Sequence, residues 1–224
     1  MTLLLEPDKI YYINSRTNAK DNLFNSEDDY FYFLKNYAEL LVPIVETYAY
    51  CLLPNQLHCL IKIKSEKEIF DFLKVNNRIP EENLSFQEYK NLSTNTANLV
   101  GNIFSLQLSK QFSNFFTTCT PALNKQPANK RSLIIQNSKS IEINSDEQIK
   151  DTIINIHCNS AHSGNNQNFE LWKFSSYSAY LSDKPSAIKR SVALDIFESK
   201  DNFINCHRER AEKVASEKLE QIIE

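Results

Sequence analysis

The first part of the chain switches between strand-like and helix-like spacing of apolar residues. Residues 8–18, DKIYYINSRTN, alternate apolar and polar side chains and predict a half-buried strand. From Ser26, a helix cap followed by acidic residues, the apolar positions recur at helical spacing. Two apolar runs that meet at Pro54-Asn55 then predict a pair of strands joined by a tight connection.

The later part of the chain is more irregular. Residues 66–75 predict a short helix, whereas residues 76–100 are polar and weakly periodic and predict a long excursion. An apolar stripe then predicts one helix through Phe104, Leu108, Phe112, Phe115 and Cys119. A strand candidate at residues 132–143, a capped helix from Ser145 and a C-terminal amphipathic tail complete the pattern.

The order strand, helix, strand, strand, helix is typical of an α+β fold with a ferredoxin-like antiparallel sheet. We expect residues 11–14, 48–53 and 57–63 to be strands of one sheet, and the helix through Phe112 to pack on the face that carries His58. We divide the chain into a domain at residues 1–205 and a C-terminal helical tail at residues 206–224.

Composition excludes several classes of function. Two glycines among 224 residues leave no glycine-rich phosphate loop. A net charge of −3 argues against a dedicated nucleic-acid binder, but residues 104–141 hold no acid and five bases. We take these bases as candidate DNA contacts: Lys110, Lys125, Lys130, Arg131 and Lys139.

The chain has neither an apolar run long enough for a membrane span nor a signal peptide's hydrophobic core. Its five cysteines show no CxxC spacing, and an odd count without a targeting signal indicates reduced thiols. We therefore expect a cytoplasmic protein that does not bind membranes, as a monomer or a homodimer.

One polar pair stands at the start of an apolar strand. Gln56 and His58 are two residues apart, so both side chains point to the same face of the predicted strand. Such a pair is either a site or a strand end that reaches solvent.

Five segments, taken in order, resemble the REP-associated tyrosine transposases, a branch of the single-tyrosine HUH transposases. The resemblance runs from about Tyr11 to about His207, and its segments are residues 11–24, 48–63, 110–125, 156–164 and 172–185. It implies an α+β domain that cuts and joins single-stranded DNA beside hairpins. It also implies two strand histidines that hold magnesium or manganese, and a helix tyrosine that attacks the scissile phosphate.

This chain departs from the family pattern at both places. Gln56 stands at the first histidine's position, and only His58 remains as a metal ligand, weak or vestigial. Cys119 stands at the tyrosine's position, where its shorter side chain would not reach the same phosphorus. Pro121 follows two residues later and is expected either to displace any nucleophile on that helix or to end the helix, while Asn124 still matches the family's asparagine.

The resemblance and its departures predict a transposase homologue with a degenerate site at Gln56, His58, Cys119 and Asn124. The main hypothesis is a protein that binds single-stranded or hairpin DNA weakly and is impaired in strand cleavage, with no cofactor expected. One alternative is an active, metal-dependent strand-transfer enzyme that uses the residual ligands, magnesium or manganese, and another nucleophile such as a nearby tyrosine. The other is a decayed pseudoenzyme that does not bind DNA.

Overall fold

A computed structural model describes residues 3–16, 22–79, 84–92, 103–123, 138–162 and 168–223. Within these ranges the strands are β1 (Ile10–Arg16), β2 (Val45–Leu53), β3 (Gln56–Ile63) and β4 (Lys139–Ile143). The helices are α1 (Glu27–Leu40), α2 (Glu66–Val75), α3 (residues 86–92), α4 (Ile103–Leu123), α5 (Asp146–His162), α6 (Tyr177–Leu181), α7 (Arg190–Phe197) and α8 (Lys200–Ile223). None of these helices is both long and apolar enough to cross a membrane.

The four strands form one antiparallel sheet in the order β2-β3-β1-β4. The chain visits them in the order β1, α1, β2, β3, α4, β4, so the topology is ferredoxin-like with α2 and α3 inserted before α4. The predicted fold class and the three predicted strands are confirmed, because residues 11–14, 48–53 and 57–63 all lie in this sheet.

Helices α1 and α4 cover one face of the sheet and build the first core. The odd-numbered side chains of β3, among them Leu57, Cys59 and Ile61, pack there with Phe33 of α1 and Phe115 of α4. A serine–aspartate capping box, formed by Ser26 and Asp29, fixes the start of α1.

The helix that carries Phe112 and Cys119 therefore packs on the face opposite His58, and the expected arrangement is wrong. Side chains of β3 alternate between faces, and His58 pairs across the sheet with Cys51, a residue of the other core. Right-handed crossovers place α1 and α4 on the same face of a ferredoxin-like sheet, which is the physical reason for the difference.

The C-terminal part of the chain covers the second face. Leu60 and Ala49 pack there with Ile153 of α5, Phe197 of α7 and Phe203 of α8, and form the second core. Helix α8 runs across the boundary drawn between residues 205 and 206. Beyond that boundary His207 is fully buried, and Cys206 and Ala211 pack against the second core.

Helix α3 lies in the region that the sequence predicts as an excursion. Ser85 caps it, because its hydroxyl oxygen accepts from the Glu88 N–H while its own N–H donates to the Glu88 carboxylate. Phe86 and Tyr89 then contact the rings of Phe70 and Phe104, and so join this polar stretch to the first core.

A chain of hydrogen bonds through two buried histidines ties α8 to α5 and to β2. The Phe203 carbonyl only accepts, so His207 Nδ1 donates to it at 2.6 Å, and His207 Nε2 accepts from His157 Nδ1 at 2.9 Å. His157 Nε2 then accepts from the Ser176 hydroxyl at 2.8 Å, and Ser176 accepts from the Tyr50 N–H at 2.9 Å. Each ring nitrogen has a partner while both imidazoles are neutral, whereas two charged imidazoles would set the N–H groups of His157 Nδ1 and His207 Nε2 against each other.

This histidine pair predicts that the protein loses stability as the pH falls from about 6.5 to about 4. Burial lowers the pKa of His207 from 6.5 to about 4 and holds the pKa of His157 well below 6.5. Between these pH values the unfolded chain binds protons that the folded chain excludes. For His207 alone the loss is on the order of 3 kcal/mol, which urea unfolding at pH 7.5 and pH 4.5 measures.

The variant His207→Gln removes one of these titrating groups, so the difference between the two pH values should shrink. The variant also loses hydrogen bonds at both pH values, which makes the pH dependence and not the absolute stability the informative quantity. An equally steep loss in the variant, or a parent protein as stable at pH 4.5 as at pH 7.5, would contradict the account of this pair.

Candidate functional site

One end of the second sheet face is polar. At this end β1 and β3 pair Arg16 with Gln56 and Asn14 with His58, and β1 and β4 pair Asn14 with Lys139. Cross-strand partners point to the same face, so these side chains form one surface together with Tyr12, two residues before Asn14. We name it the polar platform and define it by Tyr12, Asn14, Arg16, Gln56, His58 and Lys139.

The second core does not reach across the platform. Leu60, two residues beyond His58, is fully buried, whereas Asn14 and Gln56 are half-buried and Arg16 and Lys139 are exposed. The apolar packing of the second core thus ends between Leu60 and His58. His58 is only 9% exposed, because its polar neighbours cover it. The start of β3 is both a strand end that reaches solvent and a cluster of polar groups.

A directional chain of hydrogen bonds runs through the platform. The Gln56 Oε1 only accepts, so His58 Nε2 carries the proton and donates to it at 2.9 Å. The unprotonated Nδ1 of His58 then accepts from the Tyr12 hydroxyl at 2.7 Å. The Asn14 side chain forms a hydrogen bond with the same phenol, and this bond lowers the Tyr12 pKa. Asn14 therefore donates to the phenol oxygen.

Burial and a neighbouring cation keep His58 neutral. Burial is the larger cause and the positive charge of Arg16 the smaller one, and together they lower the His58 pKa from 6.5 to about 4. Burial raises the Tyr12 pKa above 10, so the phenol keeps its proton at neutral pH. The positive charge of the platform therefore resides on Arg16 and Lys139.

The platform does not fit a divalent metal. Both nitrogens of its one imidazole are engaged with Tyr12 and Gln56, and the platform contains no carboxylate. In the part of the chain that the structure describes, no group of three or more histidine, cysteine, aspartate or glutamate side chains could hold a metal ion. Magnesium and manganese prefer several oxygen ligands, including carboxylates, which these six residues do not supply.

Cys119 lies outside the platform. Its thiol is fully buried in the first core, on the other side of the sheet from His58, and burial raises its pKa to about 12. An uncharged, inaccessible thiol is a poor nucleophile. Helix α4 continues two residues beyond Pro121, so proline does not end it there. Asn124 lies outside the described residues.

The five candidate DNA-binding bases do not form one described surface. Lys139 is exposed on the platform, and Lys110 is exposed on α4, which covers the opposite sheet face. Lys125, Lys130 and Arg131 lie outside the described residues. The structure adds Arg16 to the basic side chains beside His58, which the sequence analysis did not single out.

The pairing of β1 with β3 is what brings three further residues to the site, namely Tyr12, Asn14 and Arg16. The sequence contains only a weak signal for them, because the polar residues 14–16 are consecutive and do not alternate with apolar ones. That signal does not tell which residue of β3 lies opposite each of them.

No protein-family model and no curated protein matches this chain. A solved structure of a REP-associated tyrosine transposase bound to a REP hairpin is similar to it, with a TM-score of 0.44 and 13% sequence identity. The likeness covers 80% of this chain and 84% of the other. The likeness is distant.

The hydrogen-bond chain predicts one tautomer for His58. At pH 7 the ring should be neutral and protonated on Nε2, since Gln56 Oε1 accepts from that atom and Tyr12 donates to the other. Long-range ¹H–¹⁵N correlation spectra distinguish the two tautomers, and a titration should place the pKa near 4. In Tyr12→Phe the chain loses its donor to Nδ1, and the tautomer preference should weaken. A ring protonated on Nδ1, or charged at pH 6, would refute the arrangement.

Proposed function

We propose that this chain binds single-stranded or hairpin DNA on the polar platform and does not cleave it. The observation that carries the proposal is the position of two exposed bases, Arg16 and Lys139, on a sheet face whose other polar groups are uncharged. The resemblance of five sequence segments to REP-associated tyrosine transposases supports the choice of ligand.

The two bases are available for phosphate groups. Neither Arg16 nor Lys139 forms an ion pair with any described residue, in contrast to Lys9, Lys173 and Arg208, which pair with carboxylates. Charged side chains that contact phosphates supply most of the affinity of sequence-independent binding and make it salt-dependent. The net charge of −3 opposes DNA at long range, so the expected affinity is modest.

The uncharged groups of the platform suit a ligand with both donors and acceptors. Gln56 uses its oxygen for His58, which leaves its amide N–H groups to donate outward. Asn14 uses an N–H for Tyr12, which leaves its oxygen to accept. Unpaired nucleotides expose base edges and backbone oxygens together, whereas a duplex hides the pairing edges of its bases.

Absence of cleavage follows from the same side chains. The residues that would hold a metal do not fit one, and the thiol at the position of the family's nucleophile is buried on the other side of the sheet. Arg16 and Lys139 can attract a phosphate, but the platform supplies neither the ligands for a metal that would polarise it nor an ionised nucleophile to attack it.

One observation favours a second candidate function, strand cleavage by Tyr12. The Tyr12 hydroxyl donates to His58 Nδ1 at 2.7 Å, the geometry of a nucleophile beside its general base. In such a reaction the phenol oxygen would bond to phosphorus, its proton would pass to His58, and one strand end would leave. The raised Tyr12 pKa and the lowered His58 pKa both oppose this proton transfer, so binding without cleavage is the better supported function.

Replacing Arg16 and Lys139 together by glutamate should weaken the binding of single-stranded DNA at least about tenfold, because two phosphate contacts become repulsive. Fluorescence anisotropy with a labelled oligonucleotide measures the affinity. For the unchanged protein, log K should fall with log salt at a slope of about −1.4 if these two bases are the only contacts. A slope of roughly −2 to −3.5 would indicate that Lys125, Lys130 and Arg131 contact phosphates as well.

The matched control is Lys184→Glu/Lys213→Glu, which changes the net charge equally at two exposed lysines away from the platform. It should leave the affinity nearly unchanged. The single variant Lys110→Glu tests whether DNA binds to the outer surface of α4 instead of the platform.

Equal losses of affinity in the platform variant and the matched control would show that the effect is one of overall charge. Complete absence of binding in the unchanged protein would favour the decayed pseudoenzyme.

The protein should form no covalent adduct with hairpin DNA in the presence of magnesium or manganese. Denaturing gels of labelled DNA would reveal such an adduct as a retarded band. A band that disappears in Cys119→Ala would overturn the reasoning about the buried thiol. A band that survives that change but disappears in Tyr12→Phe would establish the second candidate function instead.

A further inference from the structure

A pocket of about 200 Å³ opens on the sheet face opposite the polar platform. It lies between α1, the strands β2 and β3, and the segment at residues 186–188. Leu52, Leu57 and Cys59 are buried and form its floor, while Ala38 and Ala187 are exposed and flank its mouth. We name it the α1 pocket. It is part of neither the platform nor the DNA proposal.

The walls of the α1 pocket are neutral. Among the described residues, no aspartate, glutamate, lysine, arginine or histidine lines it. Burial raises the pKa of the Cys59 thiol to about 12, so this floor residue is also uncharged at neutral pH. A charged ligand would lose its hydration in such a pocket without gaining a partner, whereas an apolar ligand gains by leaving water.

One pair of hydroxyl groups interrupts the apolar wall. Tyr37 Oη and Thr47 Oγ1 lie 2.8 Å apart, and both residues line the pocket. A single hydrogen bond between two hydroxyls uses one of their two protons. Within the described part of the chain no further side-chain or backbone acceptor bonds to either hydroxyl, so the second proton is left to donate to a ligand.

The pocket is held in shape without a ligand. The Lys189 N–H donates to the Thr47 carbonyl at 2.9 Å, and Ile188 forms a bridge with Thr47, so the 186–188 segment is fixed to the edge of β2. An ion pair of 3.1 Å between Lys189 and Glu46 adds to this attachment. A preformed pocket spends little binding free energy on ordering.

We propose that the α1 pocket binds a small neutral aromatic molecule with one hydrogen-bond acceptor. Phe33 and Tyr37 supply aromatic walls, and the hydroxyl pair supplies one donor. The size is adequate, because an apolar cavity of about 150 Å³ holds benzene. An aromatic ketone such as acetophenone combines these properties.

The test is a titration with acetophenone, followed by the methyl NMR signals of the full chain. Saturable shifts are expected at Leu52, Leu57 and Ile188. Ala38→Phe fills the mouth and should weaken binding at least about tenfold, whereas Ala215→Phe, at another exposed helical alanine, should leave it within about twofold. If Ala38→Phe does not fold, Ala187→Phe plugs the same mouth from the segment side.

Two further ligands test the chemistry of the pocket. Ethylbenzene, which lacks the acceptor, should bind about fivefold more weakly, and benzoate, which is charged, should not bind measurably. Absence of saturable shifts with acetophenone would overturn the proposal. So would equal affinity in Ala38→Phe, or benzoate binding as tightly as the ketone. Equal affinity of ethylbenzene and acetophenone would remove the role of the hydroxyl pair.

Discussion

Burial of the central strand β3 on both faces is the constraint on which the rest of the structure depends. Its odd-numbered side chains enter the core built by α1 and α4, and Leu60 enters the core built by the C-terminal helices. A strand of this kind has no solvent face along most of its length. Polar groups of this strand therefore lie towards its ends, with Gln56 and His58 at one end and Lys62 at the other.

The same requirement, that a buried imidazole be neutral and have a partner for each nitrogen, shapes both histidine networks. At the sheet end His58 lies between Tyr12 and Gln56, and inside the second core His157 and His207 contact one another. In each network a group that can only accept fixes the direction of every proton along the chain. The networks differ in access: His207 is fully buried, whereas the platform around His58 borders solvent and carries two cations.

Much of the fold follows from local sequence patterns, and much of the site does not. The alternation in residues 8–18 and the apolar stripes of α1 and α4 are local signals, and they predicted these elements well. Helix α3 was missed because its two core residues, Phe86 and Tyr89, stand in a polar stretch. The side of the sheet that α4 covers depends on crossover handedness, and the apolar stripe of a helix does not tell which sheet face the helix will cover. The partner of His157 lies 50 residues further along the chain, beyond the reach of any periodic pattern.

The central claim is that the polar platform is the DNA-binding surface, and chemical-shift mapping tests it most directly. Backbone ¹H–¹⁵N spectra would be recorded while a short single-stranded oligonucleotide is added without divalent metal. The account predicts saturable shifts at residues 12–16, 56–58 and 139–141, with α8 unaffected. Shifts confined to α4, or to helices remote from the start of β3, would contradict it.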